Sequence, residues 1–96
     1  MRPSQALEQH REAIRRIVAA HRAANARVVG SVLTGEDGEG SDLDLLVDPA
    51  PRMSLLDVGA IQVEVSELLG VPVDVVTPRA LPERWRERVL REAAPV

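Results

Sequence analysis

The run Asp42-Leu43-Asp44-Leu45-Leu46-Val47-Asp48 constrains the fold of this chain more than any other segment. Its apolar residues read as a strand over 42–48, closed by Pro49 and Pro51. Aspartate is a poor strand former, so two of them at i and i+2 need a reason. Alternate strand positions share a face, which projects Asp42 and Asp44 together while Leu43 enters the core. Paired carboxylates repel one another and gain nothing from packing. A divalent cation resolves that conflict, and hard oxygen ligands favour Mg²⁺. A further strand over 72–77, within "VPVDVVTP", isolates another acid, Asp74, in an apolar run. Three aspartates from two strands can hold two Mg²⁺ ions about 3.5–4 Å apart, the arrangement used for in-line phosphoryl chemistry. For Asp74 alone, an exposed sheet position is the competing reading.

The remaining elements follow from periodicity and punctuation. Residues 4–24 read as a helix, with Ser4 as N-cap and Leu7, Ile14, Ile17, Val18 and His21 at helical spacing. "ARVVGSV" suits a short strand near 27–30, broken at Gly30, and "TGEDGEG" is turn material. Between Pro51 and Gly70 the sequence alternates like a strand in "IQVEV", yet it also carries a helical apolar stripe. Ser54 with Asp57 resembles a capping box, and Gly70 followed by Pro72 is a stop, so a helix is expected. A closing helix covers 81–94, with Pro82 in its first turn. The order α-β-β-α-β-α over 1–96 implies one domain of the α/β (α+β) class, a small mixed sheet of about three strands covered by helices. Phe and Tyr are absent and Trp85 is the sole aromatic, so the core must be aliphatic.

Charge is segregated along the chain. Residues 1–30 set six arginines against Glu8 and Glu12, whereas residues 31–76 set ten carboxylates against Arg52 alone. An acidic centre argues against a nucleic-acid surface and for a cation site. A calcium loop beginning at Asp37 fails on register, because its sixth position is Asp42 and its twelfth is Asp48. Without cysteine there is no disulfide, thiolate metal site or thiol nucleophile, and without lysine there is no Schiff base or P-loop lysine. No secretory h-region or membrane span is visible, so a cytoplasmic protein is expected.

Gly30 and Ser31 supply the complementary chemistry. Glycine lets backbone N–H groups approach a phosphate, and the serine hydroxyl adds a hydrogen bond. The pair stands ten residues ahead of Asp42-Leu43-Asp44. That spacing resembles the GS-x10-D-x-D signature of the DNA polymerase beta-like nucleotidyltransferases. The chain's size, "VDVVTP" and the ending "RERVLREAAPV" are similar to the minimal branch, the MntA-type antitoxins. The resemblance implies a palm-like fold in which Asp42 and Asp44 bind Mg²⁺. Asp74 would complete the metal site and serve as general base, and Gly30 and Ser31 would hold the triphosphate of ATP. It further implies transfer of AMP to a hydroxyl, usually a tyrosine, of a HEPN-domain toxin, silencing it as the antitoxin of a type VII pair and forming a hetero-oligomer with it. With no Tyr in this chain, a tyrosyl acceptor must come in trans. Family members often carry arginines after the GS pair, where Val32, Leu33 and Thr34 stand here, followed by Glu36, Asp37 and Glu39. Negative charge beside a triphosphate opposes binding, with Arg52 or Arg79 as candidate counter-charges. Two alternatives remain: a degenerate module that neutralises its partner by occlusion, and a small-molecule nucleotidyltransferase. Arg16 and His21 form an R-x4-H pattern read as coincidence, Trp85 reads as a helix-to-sheet anchor, and Arg84, Arg86, Arg88 and Arg91 read as a solvated face.

Overall fold

The computed structural model describes residues 2–30, 32, 35–38 and 40–96. Helix α1 (Pro3–Ala20) leads into strands β1 (Ala23–Val29) and β2 (Leu43–Pro49). Helix α2 (Leu55–Leu69), strand β3 (Val73–Val76) and a 3₁₀ turn (Pro78–Ala80) follow, then helix α3 (Glu83–Glu92) and strand β4 (Ala94–Pro95). The sheet order is β3-β2-β1-β4, with β1 antiparallel to β2 and β4, and β2 parallel to β3. Mixed pairing has a direct cause. A parallel partner for β2 requires a long crossover, which α2 supplies, whereas β1 and β2 need only a reversal.

Pattern explains each face. Leu43, Leu45 and Val47 on β2 are fully buried and pack with Val28 and Val75 against Ile14 and Val18 of α1 and Ile61 and Val65 of α2. Alternation turns Asp44 and Asp48 the other way, half-buried on the face opposite this core. Leu46 shares their face yet is 0% exposed, and the 3₁₀ turn lies against β2. The helical reading of residues 55–69 holds. The Asp57 carboxylate accepts the Ser54 N–H at 2.9 Å, and Gly70 ends the helix at φ +70°. Gln62 of α2 accepts the Val75 N–H at 3.0 Å, satisfying a donor on the edge strand β3.

Five expectations need refinement. The first helix spans Pro3–Ala20 with Arg2 at the N-cap position, and Ser4 sits inside it as a donor rather than a cap. The alanine-rich stretch from 23 joins β1 because Ala23 and Ala24 pair with Pro49 and Asp48, a long-range reward that outweighs weak strand propensity. The sheet of about three strands gains a two-residue fourth at its edge. Ala94 and Pro95 pair with β1, the Val96 N–H donates to the Ala26 carbonyl at 2.9 Å, and Arg15 donates to the Val96 carbonyl at 2.8 Å. Trp85 is no buried anchor, being 45% exposed with the Arg84 guanidinium 5.3 Å from its ring centroid. Among the arginines of α3, Arg86 departs from the solvated face by donating to the carbonyls of Pro78 and Leu81.

Burial of Leu45 between both helices sets a stability test. Leu45→Ala should cost about 2–5 kcal/mol through lost transfer energy and a residual cavity. A urea denaturation midpoint shift of that size, with unchanged slope, is the expected measurement.

Candidate active site

The three sequence-singled aspartates gather where β2 and β3 begin. The Leu43 N–H donates to the Pro72 carbonyl at 2.9 Å, locking the starts of the two strands together. In that register Asp44 stands opposite Asp74 on β3 and opposite Val29 on β1. Adjacent residues of parallel strands point the same way, so the Asp44 and Asp74 side chains share a face. Asp42 precedes Leu43, the first residue of β2, and is exposed, as is Asp74, while Asp44 between them is half-buried. Burial pushes the Asp44 carboxyl above its ordinary value of 3.8, and the Asp74 and Asp42 charges push it further. Ionised Asp44 therefore opposes folding at neutral pH, and a cation beside it would relieve both causes. Among the described residues, no three carboxylates or imidazoles stand close enough to hold one ion without side-chain adjustment. Brought together, the three carboxylates would offer an all-oxygen set of the kind a hard divalent cation takes.

Gly30 closes the site from the other side. It follows β1 directly, at φ +79°, where an L side chain is strained. A Cβ there would sit 2.7 Å from Asp44 Oδ2. The glycine thus leaves room for the carboxylate as well as turning the chain. Ser31, paired with it as a nucleotide ligand in the sequence, lies outside the described residues, as do Leu33, Thr34 and Glu39.

Electrostatics around the site differ from the sequence expectation in two ways. Asp37 does not face the aspartates as a free charge. It is 5% exposed, and its Oδ2 accepts the Ser4 N–H at the start of α1 at 3.0 Å. The candidate counter-charges are displaced too. Arg52 and Arg79 follow the C-terminal ends of β2 and β3, whereas the three aspartates lie at the beginnings of those strands. Arg27, on β1, is engaged with Asp48 and with the Asn25 carbonyl. His21 meets Glu64 of α2 and Arg16 meets Glu12, so the R-x4-H pair is divided between separate ion pairs.

A glycine corner beside carboxylates on neighbouring strands is a candidate site for phosphoryl-group chemistry, and the fold that carries it has known relatives. The nucleotidyltransferase domain family matches residues 7–95. A Methanocaldococcus jannaschii protein to which protein adenylyltransferase activity is ascribed is 36% identical over 80 residues, covering 83% of this chain and 86% of that protein. Protein adenylyltransferase MntA of Thermococcus cleftensis is 40% identical over 65 residues, covering 68% of this chain and 66% of that protein. A structure solved as a minimal nucleotidyltransferase superposes with TM-score 0.87 at 46% identity, covering 97% of this chain and 95% of the other. A toxin–antitoxin structure with AMP-PNP superposes at TM-score 0.70 and 15% identity over 97% of this chain and 71% of the other, a likeness of fold alone. The chain belongs to the nucleotidyltransferase domain family, and within it to the minimal nucleotidyltransferases. It is a nucleotidyl-transferring enzyme of that branch.

The raised Asp44 carboxyl yields a signed prediction. A raised folded-state value means the folded chain binds a proton more tightly than the unfolded chain. The penalty of the ionised group is then fully present at pH 7 and is lost as pH falls through the folded value towards 3.8. Without ligand, Asp44→Asn should therefore raise Tm at pH 7 by a few degrees, and thermal melts should show the gain vanishing below that ordinary value. Gly30→Ala should cost about 1–2 kcal/mol in backbone strain. It should also abolish nucleotidyl transfer by displacing the Asp44 carboxylate, so activity assayed well below its melting temperature should stay absent.

Proposed function

We propose that this enzyme uses ATP to transfer AMP to a hydroxyl, most simply a tyrosyl hydroxyl, of a HEPN-domain toxin and so acts as its antitoxin. The observation that carries the reading is the Asp44–Asp74 register beside Gly30, in a chain similar to MntA. Asp42, Asp44 and Asp74 would hold two Mg²⁺ ions, which would supply charge neutralisation of the triphosphate and its leaving group.

 The glycine corner lets the backbone come close to the phosphates, and Asp42 and Asp44, by fixing the cations at the start of β2, would set where the α-phosphate lies. The acceptor oxygen then bonds to the α-phosphorus as the bond to the bridging oxygen breaks. Pyrophosphate leaves, and the hydroxyl proton passes to Asp74, an exposed carboxylate on the strand beside β2.

A protein acceptor is supported by the surface. Leu55 and Leu56 are 89% and 85% exposed at the start of α2. Leu55 lines a groove of about 530 Å³ together with Met53, Val58, Val75 and Thr77. Exposed apolar ledges of this kind mark surfaces that proteins cover. No helix among the described residues is long and apolar enough to cross a membrane.

Incubation of the chain with the protein that co-purifies with it, Mg²⁺ and ATP labelled on the α-phosphate tests the reading. Label should move to the partner, its mass should rise in multiples of AMP, and Asp44→Asn should reduce transfer by at least about a hundredfold. Full neutralisation of the partner by an Asp42→Asn, Asp44→Asn double variant, with no label transferred by the wild type, would instead establish occlusion.

A further inference from the structure

Asp37 is the one buried charged side chain among the described residues, and nothing in the transfer chemistry uses it. Its Oδ2 accepts the Ser4 N–H at 3.0 Å, reaching across 33 positions of sequence. Its Oδ1 is buried with no hydrogen-bond partner among the described residues. Capping a helix start does not require this arrangement. A serine or asparagine at the N-cap position would serve the same donors without burying a charge. The Ser4 N–H holds the Asp37 carboxyl below its ordinary value of 3.8 against the opposing effect of burial, so the ionised form is favoured in the fold, and a tether across 33 positions calls for a reason beyond capping.

The path of the chain supplies one. Asp37 lies between the glycine corner and the aspartate pair. Immediately after it, the Gly38 N–H donates to Ser41 Oγ at 2.9 Å and the Ser41 N–H donates to the Gly38 carbonyl at 3.1 Å. This closed turn delivers the chain straight to Asp42. On the other side of Asp37, Val32 is buried and lines a small cavity with Ser4, Leu7 and Val28, so the segment after Gly30 also rests against the start of α1. The start of α1 thus supports the spacer between Gly30 and Asp42 at two points, Val32 and Asp37.

We propose that Asp37 is a positioning residue for nucleotidyl transfer: docked on the first turn of α1, it sets the path of the spacer and so the placement of Asp42 beside Asp44. The same contact withdraws one of the spacer's negative charges from the triphosphate. The proposal rests on the aspartate site being the nucleotide site.

Titration calorimetry of the full chain with ATP in the presence of Mg²⁺, alongside transfer kinetics and thermal melts, tests it. Asp37→Ala should weaken ATP binding about tenfold or more, in the range found when groups that orient ligating side chains are removed. Asp37→Asn keeps an oxygen for the Ser4 N–H and should recover most of that loss, a rescue that a charge effect on the triphosphate alone would not require. If Asp37→Ala does not fold, Asp37→Ser, which relieves the buried charge and is too short to reach Ser4, carries the same expectation. Binding and KM within twofold of wild type in the folded variant, whatever its Tm, would overturn the proposal. Wild-type binding that is lost in Asp44→Asn but unchanged in Asp37→Ala overturns the proposal alone. A wild-type chain that binds no ATP with Mg²⁺ overturns the site reading and the proposal with it.

Discussion

Two carboxylates held opposite one another on parallel strands are the constraint on which the rest of this structure depends. Asp44 and Asp74 share a register because the starts of β2 and β3 are locked by the bond from Leu43 to Pro72. Parallel pairing in turn obliges the chain to cross over, and α2 makes that crossing while sealing one face of the sheet with aliphatic side chains. The acids are left on the opposite face, at the end where β1 finishes and the glycine corner begins. Fold and site are therefore one arrangement: the pairing that builds the core also brings like charges together.

That arrangement works against stability. Asp44 is disfavoured as an ion by burial first and by its two acidic neighbours second. Natural cores avoid such conflicts unless a ligand resolves them, and strained or repulsive groups collect where chemistry is done. The surrounding charges fit the same logic. Arg27 neutralises Asp48 further along the face and does not reach towards Asp44's neighbours, while Arg52 and Arg79 belong to the far ends of their strands. The site is consequently a concentration of negative charge with few protein counter-charges nearby, the electrostatic setting on which the proposed cation binding rests.

Much of this was legible in the residues because the signals were local. Ser54, Asp57 and Gly70 mark the limits of α2 by capping chemistry, which needs only neighbours in sequence. The alternation of Asp42, Leu43 and Asp44 states which side chains part company at the start of β2. What stayed hidden depended on partners far along the chain. Ala23 and Ala24 have little intrinsic reason to be extended, and they became strand only by pairing with Asp48 and Pro49. Ala94 and Pro95 are too few to announce a strand, and β1 made them one. Trp85, the sole aromatic, looked like an anchor by type, yet α3 contributes no buried residue and the ring lies beside Arg84 at the surface. Asp37 looked like one more loop acid, since a cap donated from another element leaves no trace in local sequence.

Residue order alone determined that an aliphatic sheet would carry paired acids near a glycine-serine corner, because periodicity and charge spacing are properties of neighbours along a chain. Only tertiary structure decided that Asp74 would stand opposite Asp44, that the space beside Gly30 would be filled by that carboxylate, and that Asp37 would turn away to the first turn of α1. Strand register and helix docking are set by contacts between distant segments, and those contacts form only when the whole aliphatic core closes.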